Sequence, residues 1–351
     1  MKKFIIKLII LLLLSSLFNL LNPENIMCKQ ETNGNKYKIA FVMDKNIWIM
    51  NDDGSEKRQI TKTNDVSILF GWFPDNKNLL YGVENIKSTI ENCSNGYKLW
   101  ILTVDENKVV KLAQEFNVFK INYFDNEMVI FTTIDSRVWS INMKKHQIKK
   151  IFDKNGTFQD LSPDKKRILY IDSPEISSVE SNEIEIADPG IDIYWLDISN
   201  LNEKFLITST FTNNALWLSN DKIIYSEMKG IYTDLSVVRI DTGEQQILKF
   251  KNFPLTNYDI KLSPKRDKII GLWTTQEYIR YTQKDFLWVG KLKTKIGKTI
   301  TRGIKNCINY WHSDNERIIY VSDRNGIWIV DYDGKNSKKL SDKGDYPCCS
   351  K

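Results

Sequence analysis

Seven spaced copies of a short apolar triplet, each followed by a second β-branched run and then by a turn former, predict an all-β fold. The expected form is a seven-bladed β-propeller with four antiparallel strands, A to D, in each blade. The triplets are Ile39-Ala40-Phe41, Leu79-Leu80-Tyr81, Val129-Ile130-Phe131, Ile168-Leu169-Tyr170, Ile223-Ile224-Tyr225, Ile269-Ile270-Gly271 and Ile318-Ile319-Tyr320. They mark strand B.

Strand C carries Trp48, Trp100, Trp139, Trp288 and Trp328, with Tyr194 and Val238 in that place in the other two copies. Three residues further on stands Asn51, Thr103, Asn142, Asp197, Asp241 or Asp331, and Lys291 is the exception. A fixed aromatic place in a repeat predicts core between blades, not a sugar-binding ladder. Strand A ends at Phe73-Pro74-Asp75, Ser162-Pro163-Asp164, Ser263-Pro264-Lys265 and Ser313-Asp314, after Trp72, Leu161, Leu262 and Trp311. Strand D closes each copy, as in Arg58-Gln59-Ile60-Thr61 and Lys338-Lys339-Leu340-Ser341. The first copy has no strand A before Lys38, and Gly344 to Ser350 matches the start of one. The C-terminus is therefore expected to complete the first blade and close the ring, which removes an exposed sheet edge.

The run Ile39-Ala40-Phe41, Ile47-Trp48-Ile49-Met50-Asn51-Asp52-Asp53-Gly54, Arg58-Gln59-Ile60-Thr61 resembles the repeat of TolB-type β-propeller proteins. So does Leu161-Ser162-Pro163-Asp164-Lys165. The resemblance extends from Lys38 to the C-terminus. It implies the propeller fold, and it names no ligand, because the repeat serves many contexts.

Met1-Lys2-Lys3 and the apolar run from Phe4 to Leu21 read as the n- and h-regions of a secretory signal. At about 18 residues the run also reaches the lower limit for a membrane span. The expected divisions are 1–27 as signal peptide or membrane anchor, 28–37 as linker and 38–351 as one propeller domain. Cys28 lacks the preceding small residue of a lipobox. The chain is expected to be exported to the cell envelope, periplasmic or extracellular, with membrane association only through this first segment.

Composition narrows the function. A hydrophobic share of 42% can bury a large core, and without Lys2, Lys3 and Lys7 about 47 Lys and Arg face 44 Asp and Glu. Scattered basic residues near charge balance exclude a nucleic-acid footprint. Cys28, Cys93, Cys307, Cys348 and Cys349 have no metal-ligand spacing, although Cys307 could pair with Cys348 or Cys349 in an oxidising compartment. No Gly-x-Ser-x-Gly elbow is present, and no residues remain for a separate catalytic domain. His146 reads as a solvated turn residue and His312 as a satisfied structural one. Asp-rich turns such as Asn51-Asp52-Asp53-Gly54 read as hairpins, not calcium loops. No cofactor, metal site or catalytic residue is predicted.

The connections from strand B to strand C lengthen from Glu84 to Gly96, from Asp172 to Gly190 and from Thr274 to Lys284, with a smaller extension in the fifth blade. In a propeller these loops share a face with the D–A connections, at the mouth of the central channel. Long loops on a rigid scaffold are where binding resides. The candidate binding residues are Glu91, Asp172, Glu175, Glu180, Glu183, Glu185, Asp188, Tyr278 and Tyr281. The expected ligand is a protein or peptide, bound without catalysis. The alternative is a hydrolase or lyase acting on a glycan or peptide through carboxylates at the channel mouth.

Overall fold

Branched apolar and aromatic residues at a two-residue period favour a pleated, half-covered backbone. The computed structural model describes residues 37–85, 96–152, 156–172, 191–210, 214–229, 232–251, 257–277, 282–301, 308–322 and 326–351, and among these it has 28 strands and no helix. Tyr37–Lys351 forms one compact unit.

The strands fall into antiparallel groups of four. The first group holds β1 (Lys38–Met43), β2 (Asn46–Asn51) and β3 (Arg58–Gln59). The second holds β4 (Val66–Trp72), β5 (Asn78–Glu84), β6 (Tyr97–Thr103) and β7 (Lys108–Leu112), and the third β8 (Val118–Phe124), β9 (Met128–Thr133), β10 (Val138–Asn142) and β11 (Gln147–Phe152). These two join into one eight-stranded sheet where Tyr97 pairs with Val118. The fourth group is β12 (Gly156–Leu161), β13 (Arg167–Asp172), β14 (Ile191–Asp197) and β15 (Asn200–Thr210). The fifth is β16 (Ala215–Ser219), β17 (Lys222–Lys229), β18 (Tyr232–Arg239) and β19 (Gln245–Ile247). The sixth is β20 (Asn257–Leu262), β21 (Lys268–Glu277), β22 (Thr282–Lys291) and β23 (Ile296–Thr299). The seventh is β24 (Ile308–Trp311), β25 (Arg317–Val321), β26 (Ile327–Asp331) and β27 (Lys338–Ser341).

The last strand, β28 (Asp345–Cys349), returns to the first group and pairs antiparallel with β1, giving the order β28-β1-β2-β3. Lys351 exchanges two hydrogen bonds with Asn76, at 2.7 and 2.8 Å, and so ties the chain's end to the second group. This organisation of antiparallel four-stranded groups is consistent with a propeller.

The packing explains the triplet. Neighbouring residues on a strand point to opposite faces, and here both faces are covered. The first and third residues of a triplet face the preceding group, and the middle residue faces the following one. Leu79 and Tyr81 pack with Ile47 and Ile49 of the first group, whereas Leu80 packs with Val129 and Phe131 of the third. Ile223 and Tyr225 meet Leu169 and Ile193, whereas Ile224 meets Ile269 and Trp288. The same rule joins the ends: Ile39 and Phe41 pack with Ile319 and Ile327, and Ala40 sits in the cluster shared with the second group. Each fully buried branched side chain contributes about 1.5–3 kcal/mol.

Three sequence expectations need correction. In the fifth group the residue opposite Tyr225 is Ser236, not Val238, which pairs with Ile223. The expectation counted back from Asp241, but β18 already ends at Arg239 and Asp241 lies inside the turn that follows. Next, much of the Thr274–Lys284 insertion is ladder, not loop, because pairing continues out to Glu277 and Thr282. Likewise β17 and β18 pair as far as Lys229 and Tyr232. Finally, the strand-C aromatics are not uniformly core. Trp288 is fully buried, whereas Trp48, Trp100, Trp139, Tyr194 and Trp328 are half-buried at cluster margins. Several stack on their own strand-B partner, as Tyr81 does on Trp100 and Tyr320 on Trp328, with ring centroids 6.4 and 6.3 Å apart.

Candidate functional site

The hairpin between β1 and β2 turns on two residues, Asp44 and Lys45, at φ of 50° and 55°. A two-residue turn with both φ positive matches the twist of its strands and usually employs Asn-Gly. Neither residue here is glycine, so the turn carries strain of order 1–3 kcal/mol per residue. It is held by Asn46 Nδ2, which donates to the Asp44 carbonyl at 2.9 Å, and by Val66 N, which donates to the Lys45 carbonyl at 3.0 Å. Tyr346 on β28 adds a third left-handed residue, φ 52°, where the register with β1 shifts between Ala40 and Val42. Gly344 just before it has φ 130°, and a Cβ there would lie 2.6 Å from the Phe41 ring.

These strained residues surround one cavity of about 560 Å³. Val42, Met43, Val66 and Tyr346 give it apolar walls, and Asp44, Lys45, Glu84, Lys343 and Asp345 are charged and exposed around it. The cavity lies at the ends where strands B turn into C and where D leads to the next A. Ser67 accepts from Glu84 N at 3.0 Å and so fixes the β5 end of the rim. Burial, with Tyr346 and the Glu84 carboxylate nearby, pushes the Tyr97 hydroxyl above its ordinary range. Charges of both signs over apolar walls suit a polypeptide segment, with its own charged and apolar side chains.

Of the sequence-predicted site residues, Glu91, Glu175, Glu180, Glu183, Glu185, Asp188, Tyr278 and Tyr281 lie outside the described residues. Asp172 is the last residue of β13, opposite Asp192 in the register. The proposed pairing of Cys307 also falls outside them; Cys348 is a buried free thiol and Cys349 a half-buried one. His146 is an exposed turn residue at φ 51°. His312 is fully buried, with Tyr37 edge-on at 4.8 Å. Among the described residues no group of three or more His, Cys, Asp or Glu side chains is placed to hold a metal ion. Asp53, in the Asp-rich turn, accepts from both the Ser55 amide and the Ser55 hydroxyl, and these bonds hold its carboxyl below the usual range.

Sequence reasoning missed Asp160, whose carboxylate bridges three groups. Its Oδ1 accepts from Leu161 N at 2.8 Å, and its Oδ2 accepts from Trp217 N at 2.9 Å and from Arg266 Nη1 at 3.2 Å. Burial pushes this carboxyl up, against the pull of the Arg266 guanidinium and the two amides. Both oxygens are committed, so the carboxylate works as a brace between β12, β16 and the turn after β20. The only sequence signal was a carboxylate in a strand otherwise bound for the core.

No protein-family model matches this sequence, and no curated protein sequence does. Among solved structures the chain is similar to the tricorn protease, at 11% identity over 90% of this chain and 34% of that one, with a TM-score of 0.60. It thus spans about a third of that protein. It is also similar to an oligogalacturonate lyase in complex with manganese, at 8% identity over 86% and 82% of the two chains, TM-score 0.59. TolB from Acinetobacter baumannii aligns at 15% identity over 90% and 67%, TM-score 0.49. Identities this low concern the fold alone. The chain therefore shares the fold of the tricorn protease segment and the oligogalacturonate lyase, and its sequence repeat is similar to that of TolB-type propellers.

Proposed function

We propose that the chain is an exported, non-catalytic binding or scaffolding propeller that engages a protein or peptide at the face of its B–C and D–A connections. The observation that carries this reading is the cavity between the β1–β2 hairpin, the start of β28 and the start of β4, with five exposed charges around it. Strained backbone is retained where function holds it, and three non-glycine residues at positive φ meet there. The acidic residues from Asp172 to Asp188, which belong to the long connection between β13 and β14, recruit basic partner groups, an attraction screened over about 10 Å at 0.1 M salt. The seven four-stranded groups form a closed ring with β28 as its joint. The cluster of Ile39 and Phe41 with Ile319 and Ile327 supports that closure. Residues 1–27 direct export or anchor the chain.

The test is capture of partners from a native envelope extract by the full-length protein and by a variant carrying Lys45→Gln, Glu84→Gln, Lys343→Gln and Asp345→Asn. Partners held by the first and lost by the second support the reading; an identical set on both overturns it. The second reading is a hydrolase or lyase that uses the Asp44, Glu84 and Asp345 carboxylates on the same cavity. Turnover of a glycan or peptide, abolished by Glu84→Gln and Asp345→Asn, is the result that favours it.

A further inference from the structure

The sixth group departs from the repeat at four places: Gly271 replaces the strand-B aromatic, Lys291 replaces the turn former, and Gly290 and Gly297 face each other in the ladder. The glycines have a clear purpose. A Cβ at Gly297 would lie 1.9 Å from the Trp288 ring, and one at Gly290 would lie 2.4 Å from it. Trp288 therefore lies across both backbones, fully buried, with Phe250 edge-on at 5.3 Å.

Gly297 also borders a groove of about 380 Å³ between the β22–β23 hairpin and the turn after β26. The groove lies at the ends where strands C turn into D, opposite to the ends that form the cavity described above. Val289, Ile296 and the Tyr332 ring give it an apolar lining, and Ile296 is 56% exposed at its lip. Lys291 and Lys298 bring two ammonium groups. Lys291 donates to the Tyr332 hydroxyl at 3.0 Å and stands 4.6 Å from the ring centre. Lys298 donates to the Asp333 carbonyl at 2.7 Å. The Asp333 carboxylate is taken up by Lys335 at 3.3 Å. On the far side of the site, Lys268 is buried against Glu316 at 3.0 Å, so its charge is already balanced. Lys291 and Lys298 thus hydrogen-bond only to uncharged oxygens, with the Asp333 carboxylate near both and Glu316 near Lys291, so two ammonium groups stand beside an apolar surface with their direct bonds made to neutral acceptors. Such a pair selects an anion with an apolar body. Thr294 and Asp333 add hydrogen-bonding groups that an amide backbone uses and a hydrocarbon tail does not.

We infer that this groove binds the C-terminal end of a peptide whose last residue is apolar, its carboxylate received by Lys291 and Lys298 and its side chain by Val289, Ile296 and Tyr332. The site is separate from the cavity that carries the proposed function and stands or falls without it. Lys291 stands at the end of strand C, three residues after Trp288, where five of the seven groups carry Asn, Asp or Thr.

The experiment is calorimetric titration of the full-length protein with N-acetyl-Ala-Leu bearing a free carboxylate, with its C-terminal amide, and with decanoate. The expected result is saturable binding of the free acid, at least tenfold weaker binding of the amide, and a tenfold loss for Lys291→Gln and for Lys298→Gln. A charge-assisted hydrogen bond accounts for a loss of that size. Lys335→Gln, which leaves both ammonium groups in place, keeps the affinity. Equal binding of acid and amide, or no saturable binding of the acid, overturns the site. Tighter binding of decanoate with the same lysine dependence overturns the peptide assignment. All three lysines are exposed, so matching thermal melts of the variants confirm an intact fold.

Discussion

Arg317 donates to the Asp52 carboxylate at 2.7 Å and so joins residues 265 positions apart, one heading β25 and the other following β2. The same guanidinium donates to Asp314 at 2.5 Å, and His312 Nδ1 lies 3.1 Å from that carboxylate. This network spans the contact between the seventh group and the first. Its members are partly or wholly buried, so its loss is felt more than that of a surface pair.

Arg317→Ala is expected to destabilise the protein by roughly 2–3 kcal/mol, below the 3–5 kcal/mol of a fully buried pair because the arginine side chain stays 29% exposed. A double-mutant cycle with Asp52→Ala, followed by urea unfolding, isolates the coupling between the two. Additive losses would show that the pair contributes nothing as a pair.

The acid limb of stability should carry the signature of Asp314. Burial alone raises this carboxyl, but bonds from His312, the Glu316 amide and Arg317 outweigh it and hold it far below its ordinary 3.8. A depressed folded-state value means that the unfolded chain takes up the proton first. The stabilisation is therefore complete above about pH 5 and is lost as pH falls through 4 and below. Asp314→Asn should be less stable at neutral pH and should lose less stability on acidification. A parallel acid limb in the two proteins contradicts this account.

Gly344→Ala should cost several kcal/mol, because φ of 130° and a Cβ 2.6 Å from Phe41 and 3.0 Å from Ile327 combine strain with collision. Gly243→Ala is the control. Its φ is 70°, yet nothing lies within 4 Å, so only strain of about 1 kcal/mol remains. Comparable losses at the two sites would show that the packing around Gly344 yields.

The tryptophans of strand C should separate into two classes. Trp288→Ala should cost about 3–5 kcal/mol, the range for a buried aromatic removed from a packed core. Half-buried Trp48 and Trp328 lose less area, and their replacement should cost roughly half of that by the same bookkeeping. Denaturant midpoints for the three variants decide the order.

Removal of residues 343–351 should lower the unfolding midpoint sharply and promote aggregation, since it strips β28 from β1 and uncovers an apolar strand edge. An unchanged midpoint and a monodisperse product would remove β28 from the stabilising framework.

The triplets were legible because each must bury both faces against two different neighbours, a demand few residue types satisfy. Turn lengths were less legible. The shift from Val238 to Ser236 came from a turn former, Asp241, that sits inside its turn and not at the strand end as in most other groups, and sequence spacing alone does not reveal it. The extension of β21 and β22 was hidden because Thr274, Gln276, Lys284 and Asp285 are polar and read as loop. The cavity by Asp44 was invisible for another reason: its residues come from four separate stretches of the chain. Its one local sign was a two-residue turn, Asp44-Lys45, that lacks the glycine or asparagine such a turn prefers.

The pairing of β28 with β1 has a consequence for biosynthesis. Lys38 N donates to Ser350 Oγ across 312 residues, so the strand made first waits for one of the last to emerge from the ribosome. Until then one edge of β1 is bare, and the first group lacks one of its three strand pairings. Contacts of such long sequence separation form slowly. A chain of this design stays incompletely folded until β28 is made, and it becomes resistant to proteases only in a late step.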